Sequence, residues 1–365
     1  MAITSVATGN DLTVEQWSDM AFREYVAKLV LKPYMGTSPE SVIHVDEDTL
    51  KDIGDAVTFG LVSALQGEGV EGDSVMEGNE EELQMYGHRV EIDELKNAVL
   101  LGGSMSRRRT KFDQKMEAKA ALTTWLAQKI EDKAFRAMAS INGVTYGSAT
   151  EAQKDGWLDS NIDRALFGDA VSNLDTSGGT VAADHSDSLA AIDSTNDILD
   201  TDQISLAKRI AQLADPKIRP IKIENGEEYY VMFVHPYCAR DLKASSAWQQ
   251  AQREAQARGT NNPIFTGMLG MWDGVILKES TKITLLDGVG ASSADVAINV
   301  LCGAQALLMA HGGFENGVKV EMVEKMFDYN KKPGFQISTI FGVEKAVFNS
   351  KQHGIVSVHS AAVAD

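Results

Sequence analysis

The sequence predicts an α+β fold, and three observations carry that reading. Residues 104–142 contain neither Pro nor Gly and lie between Gly103 and Gly143, which fits one long helix. Asn225-Gly226 stands between two β-rich runs, the strongest short hairpin signal. The second half of the chain then mixes hairpins with short helices instead of alternating strand and helix, which argues against a doubly wound sheet.

Taken in order, residues 1–12 read as a loose arm. A helix begins at Thr13, where Gln16 completes a capping box. Val14, Trp17, Ala21, Tyr25 and Leu29 form its apolar stripe, and Pro33 stops it. Residues 34–53 are mixed and extended, with Pro39 opposing helix. Residues 54–100 form a distinct unit. Val57-Thr58-Phe59 with Leu61-Val62 reads as one strand, and a second begins at His88 and runs to Ile92. Gly- and Glu-rich residues lie between them, so this unit predicts a long two-stranded flap with an acidic tip. From Asp55 to Glu94 there are eleven acids and one base, Arg89, which is −10 of the chain's −18.

The long helix comes next. Met105, Phe112, Met116, Leu122, Trp125, Leu126, Ile130, Phe135 and Met138 recur at three- and four-residue steps. Unbroken, it is a rod of roughly 50 Å; the alternative is two helices broken near Thr123 and Thr124. Arg107, Arg108 and Arg109 sit near its start, the less favourable end of the dipole for cations. Residues 143–200 are rich in Gly, Ser, Thr and Asp and predict a long irregular excursion with a short helical piece at 162–167. A second helix starts at an Asp202 cap, with Ile204, Ala207, Ile210, Ala211 and Ala214 on one face, and closes at Pro216. Strands at 218–223 and 229–234 flank the Asn-Gly turn. Helices are expected at 236–242 and 248–258, and a short one at 304–310. Strands are expected at 272–277, 283–286, 296–302, 318–327, 335–341, 345–348 and 355–359.

Length and composition bound the function. A chain of 365 residues suggests about two domains, and 44% hydrophobic content fills an ordinary core. With 52 acids against 34 bases, the chain repels phosphate backbones, so sequence-specific nucleic-acid binding is disfavoured. Cys238 and Cys302 stand far apart on apolar segments and read as buried free thiols. The first ten residues lack a basic region and an apolar core, which predicts no signal peptide. The longest apolar stretch, 300–310, is far short of the ~20 residues that span a bilayer, so no membrane role is expected.

No motif predicts catalysis, a cofactor or a metal. Gly67-x-Gly69-x-x-Gly72 matches the letters of a dinucleotide fingerprint, but Glu68, Glu71 and Asp73 would repel a phosphate there. The acids of the flap tip do not follow calcium-loop spacing. The seven histidines form no ligand pair. Asp184, His185, Ser186 and Asp187 gather triad residue types in a segment without a nucleophile elbow. Two basic clusters, Arg107 to Arg109 and Lys331-Lys332, stand out against the acidic background.

The order of parts resembles the major capsid proteins of tailed double-stranded DNA phages, the Johnson fold. An arm, a long hairpin flap, a rod helix, a mixed domain, antiparallel strands with a turn and a return strand follow in that order. The words Gly54-Asp55-Ala56-Val57-Thr58-Phe59, Val70-Glu71-Gly72-Asp73 and Arg109-Thr110 are similar to those of the N-four-like branch. Residues 230–242, 270–275, Phe327-Asp328-Tyr329 and 334–342 resemble the family's axial domain and C-terminal strands. The resemblance covers residues 13–359.

That resemblance implies an N-terminal arm over 1–53, an extended loop over 54–100 and a peripheral domain with its spine helix over 101–200. It implies an axial domain over 201–310, peripheral strands and turn over 311–342, and a return strand over 343–365. It further implies an icosahedral shell of hexamers and pentamers in the virion, assembled in the host bacterial cytoplasm. The shell would enclose double-stranded DNA without sequence-specific binding, with portal, scaffolding and decoration proteins as further partners. The charge adds a mechanism: Glu71, Asp73, Glu77 and Glu80 of one flap are expected to lie across Arg107, Arg108, Arg109, Lys331 and Lys332 of the adjacent subunit. Some shells of this fold are cross-linked between a flap lysine and a turn asparagine. Asn330 is suitably placed, but the flap has no lysine between Lys51 and Lys96. No cross-link is therefore expected, and a ladder of multimers on a boiled, reduced gel would contradict this. The rival readings are an encapsulin-like nanocompartment shell and, from another class, a soluble enzyme using 143–200 as an active-site lid.

Overall fold

The computed structural model describes residues 31–46, 54–62, 70–72, 76–78, 80–105, 114–177, 182–222, 227–254, 269–314 and 317–362. The first strands are Met35–Gly36 (β1), Ile43–Asp46 (β2), Ala56–Val62 (β3), Met85–Glu91 (β4) and Asp93–Leu100 (β5), followed by the helix Gln114–Met138 (α1). The middle of the chain supplies Glu151–Ser160 (α2), Ala165–Phe167 (β6), His185–Ala190 (α3) and Thr201–Leu213 (α4). Ile221–Lys222 (β7), Glu228–Val234 (β8), Pro236–Ala244 (α5), Ser246–Glu254 (α6), Gly270–Trp272 (β9) and Val275–Glu279 (β10) follow. The last part holds Leu285–Leu286 (β11), Val296–Cys302 (β12), Leu307–Gly312 (β13), Val320–Phe327 (β14) and Lys332–Lys345 (β15). Val347–Phe348 (β16), Lys351–Gln352 (β17) and Ile355–Ala361 (β18) complete it.

Two sheets organise the molecule. The six-stranded one is built on β15, whose residues 334–341 pair with β5 while β14 and β13 take residues 332–339 and 340–345. β2 and β1 continue it beyond β13. The eight-stranded sheet runs β6-β18-β12-β8-β10-β9, with β11 and β7 attached to β12 and β8. α1 lays Leu122, Leu126, Ile130, Phe135 and Met138 into the core beneath the first sheet, and Phe135 meets Phe233 of β8 edge to face at 5.4 Å. One apolar core therefore joins the two sheets. α4 and α5 close the second sheet with Ile204, Ala207, Cys238 and Leu242.

α1 runs unbroken through Thr123 and Thr124. Their hydroxyls donate to the carbonyls of Ala120 at 2.9 and 2.8 Å, so the β-branched pair is satisfied within the helix. The described helix ends at Met138, short of the expected 142. Asn142 and Gly143 take φ of 46° and 83° and turn the chain so that Ile141 bridges Val144. Arg107, Arg108 and Arg109 lie outside the described residues, as do the expected first helix and Asn225-Gly226. The strands flanking that last turn pair as a hairpin, Ile221 with Tyr229.

Four expectations are corrected. Residues 304–310 do not form a helix; β13 occupies 307–312, every residue buried, between β15 and β2. Ala304, Ala306 and Ala310 favour helix in isolation, but pairing on both edges of β13 decides the outcome. Residues 143–200 are not an irregular excursion. α2, α3 and β6 bury Trp157, Leu158, Phe167 and Leu189 against β12 and β18. The piece at 162–167 is a 3₁₀ turn, Ile162–Arg164, that enters strand β6. Asp200, not Asp202, caps α4 by accepting the Asp202 N–H.

The flap is a hairpin of β3 and β4 with Ala56 opposite Glu91 and Val62 opposite Met85. A small core of Val57, Val90, Leu308, Ala310, Ala346 and Phe348 fixes its root, and His88 meets Glu344 at 3.1 Å. The root crosses β15 so closely that a β-carbon added at Gly342 would collide with the Glu91 carbonyl. Gly342→Ala is expected to lever the root away at a cost of about 1–3 kcal/mol. Amide exchange in 56–62 and 85–91 should speed up while α4 stays protected; equal protection in variant and parent would refute this.

Candidate contact surfaces

The flap tip and the β14–β15 turn carry charged residues that the sequence singles out. Glu71, Glu77 and Glu80 are all exposed, and the Glu80 carboxylate accepts the Gly78 N–H at 2.7 Å. Asp73 lies outside the described residues. Apolar side chains accompany these acids: Val62, Met76, Leu83 and Met85 are each about half or more exposed. The tip thus offers carboxylates beside methionine and aliphatic surface, an amphipathic strip rather than a purely solvated one.

At the β14–β15 turn, Asp328, Tyr329 and Asn330 take φ of 52°, 50° and 64°. Such left-handed backbone costs roughly 1 kcal/mol or more per non-glycine residue. The Lys331 N–H donates to the carbonyls of Phe327 and Asp328, and Lys332 pairs with Asp328 at 3.4 Å. The turn presents Tyr329 at 98% exposure. Phe327 and Leu100 are exposed beside it, both lying against Gly334. Among the described residues no ion pair joins Glu71, Glu77 or Glu80 to Lys331 or Lys332 within the chain. Sequence reading placed the lysines of this turn in the contact and named Tyr329 only as part of a family word; its exposure at the tip of the turn follows from the fold.

The motif candidates resolve into structural roles. Asp184 caps α3, accepting from Asp187 N and Ser186 Oγ at 2.9 Å each. His185 is buried among the rings of Tyr146, Trp157, Phe167 and His359, while the Ser186 hydroxyl is exposed and donates to the cap Asp184 rather than to an imidazole. Carboxylate oxygens of Glu151, Asp155 and Asp184 lie within 4.8 Å of one another. Two of those acids already accept backbone N–H groups, Asp155 that of His185. Cys238 and Cys302 are buried free thiols, and burial pushes Cys238 up to about 12, a poor nucleophile. Gly72 has φ of 69°, as a turn glycine does; Gly67 and Gly69 lie outside the described residues.

The likeness to known proteins extends over the whole chain. A family model described as phage capsid protein matches residues 5–364. The major capsid protein of Pseudomonas phage KPP25 is 28% identical, with 96% of each chain covered. The capsid asymmetric unit of cyanophage Pam1 superposes with a TM-score of 0.82 at 28% identity, covering all of both chains. The capsid of Ralstonia phage GP4 gives 0.71 at 26% identity, covering all of this chain and 94% of the other.

Proposed function

The chain belongs to the phage capsid protein family, and from that premise we propose that its acidic flap seats on basic residues of a neighbouring copy. It is a structural protein, a major capsid protein that builds the shell of a phage virion, and its α+β architecture is the Johnson fold. The relatives give no support to an enzyme or a nanocompartment.

In the proposed contact Glu71, Asp73, Glu77 and Glu80 lie over Arg107, Arg108, Arg109, Lys331 and Lys332 of the adjacent subunit. The observation that carries this is the concentration of charge: residues 55–94, the flap and the first residues of chain beyond it, hold −10 of the −18, with the described acids exposed. Each exposed ion pair contributes only ~0–1 kcal/mol. Repetition around a closed shell makes the sum decisive. Val62, Met76, Leu83 and Met85 would meet Phe327, Leu100 and Tyr329 in the same contact, adding apolar burial and sulfur–ring contact to the ion pairs.

Arg107→Glu with Arg108→Glu and Arg109→Glu is expected to weaken assembly, and lysines placed at Glu77 and Glu80 to restore it in part. Light scattering across a salt series and electron microscopy read the result. Unchanged shell formation with unchanged salt dependence would sink the contact and leave the family assignment standing.

The finer reading follows the resemblance. Peripheral and axial units are proposed around the six- and eight-stranded sheets, with the arm, extended loop and return strand bounded as above. The closed icosahedral shell of hexamers and pentamers would form in the host cytoplasm with portal, scaffolding and decoration partners. It would enclose double-stranded DNA, and net charge of −18 supports enclosure without adhesion. Micrographs of purified particles, with nuclease-protected nucleic acid extracted from them, test this.

A further inference from the structure

Segments far apart in the chain close around a cleft of about 820 Å³ at the root of the flap. Its walls are β3, the Asp215 to Arg219 stretch after α4, Gln305, and the Ala346 to His353 region. Five consecutive residues of β3, Thr58 to Val62, line it. Side chains alternate across a strand, so five in succession border one space when the strand's edge looks into it. The pairing agrees: among the described residues β3 pairs with β4 alone. Its other edge therefore offers backbone N–H and C=O groups to an incoming strand.

Gly60 sits in the middle of that edge, opposite Gly87. It has no positive φ, and a β-carbon there would meet nothing within 4 Å. Neither backbone conformation nor crowding within the chain requires glycine. Glycine inside a strand weakens it and often marks close approach by another backbone or a ligand.

The far wall is cationic. Lys217, Arg219 and Lys351 face the cleft, and Asp215 is its one acid among the described residues. Lys351 donates to the Asp215 carbonyl at 2.8 Å. His353 in the same wall is held down to about 4, first by burial and then by the charges of Arg164, Arg219 and Lys351. A positive recess is thus set into a chain of net −18.

We propose that this cleft receives an extended, carboxylate-bearing segment of a second copy of the chain, added to the open edge of β3 with its acids toward Lys217 and Arg219. A small anion would use the cations and leave the strand edge and Gly60 without purpose; a polypeptide uses all three. A second copy is the fitting partner because copies of this chain associate in the shell and carry 52 acids against 34 bases. Five β3 residues pair over roughly 17 Å of extended chain. The inference rests on the shell-forming reading and concerns a seat separate from the Lys331-Lys332 turn.

Shells assembled from equal amounts of unlabelled and ¹⁵N-labelled chains, treated with a zero-length carbodiimide and digested, test it by mass spectrometry. Lys217 is expected in mixed-isotope links to Asp or Glu, and the sequence around that acid identifies the incoming segment. Amide exchange in 56–62 is expected to slow about tenfold or more from free chain to shell, as for a newly paired edge. Gly60→Val should reduce both the link and the protection. Shells that form normally while Lys217 links only within one chain, or to a different protein, and 56–62 exchanges as in the free chain, overturn the cleft and leave the shell reading intact.

Discussion

Lys345→Met is expected to stabilise the folded chain by on the order of 4 kcal/mol at pH 6 and by little above pH 10.5. Lys345 ends β15 opposite Leu307 of β13 and is buried. Its Nζ has no hydrogen-bond partner and lies 5.3 Å from the ring centroid of Trp157. Burial drags the amine from 10.5 to about 7, an effect that Cys302 only partly offsets. That thiol is itself pushed well up by burial, so it supplies no thiolate counter-charge at neutral pH. With the folded pKa below the unfolded one, the unfolded chain holds more protons between pH 7 and 10.5. Stability from this group therefore rises with pH across that window, and the full penalty stands below pH 7. Methionine fills a similar volume without the charge. Urea denaturation of the purified chain at pH 6 and pH 10.5 measures the difference; the same gain at both would show that the amine is not the cause.

The long features of the fold were legible because their signals are local. The rod is a run of residues without Pro or Gly. α4 stops before Pro216 and α5 starts at Pro236. The flap's acids crowd one unit of the sequence. The failures share a different cause. β13 has the composition of a short helix, and only β2 and β15, distant in sequence, make it a strand. α2 has ten residues with a polar face nearly all round, too short for periodicity to stand out, and is held by Trp157 and Leu158. The candidate contacts divide in the same way. Lys331-Lys332 is a visible pair of neighbours, whereas Lys217, Arg219 and Lys351 become a cluster only when β16, β17 and the segment after α4 meet. That β3 pairs with β4 alone among the described residues is likewise a fact of topology that no single segment records.

Acid should destabilise the region between α2, α3 and the second sheet first, and His185→Leu should remove much of the effect. His185 and His359 are both buried, with ring centroids 6.0 Å apart, and His359 stacks on Phe167 at 4.3 Å. Burial holds His185 down to about 3, helped by the charges of His359 and Lys154 and opposed by Asp184. His359 is held at about 4, again chiefly by burial, while its contact with the Leu166 carbonyl works the other way. Glu151 stands 3.6 Å from His185 Nδ1 but is itself half exposed, so solvent screens the help it could give an imidazolium. Both folded pKa values lie below the ordinary 6.5. The unfolded chain therefore binds more protons below that point, and stability falls as pH drops from 6.5 toward 3. His185 alone accounts for on the order of 3–4 kcal/mol by pH 4. Titrating 52 acids also relieves the chain's own repulsion, which acts in the opposite direction in every variant. The informative quantity is thus the difference between parent and His185→Leu at each pH. That difference should shift in favour of the variant steadily from pH 7 to pH 4, with amide exchange accelerating first in 151–160 and 185–190 of the parent. A pH-independent difference would mean that His185 packs as a ring and titrates at no cost to the fold.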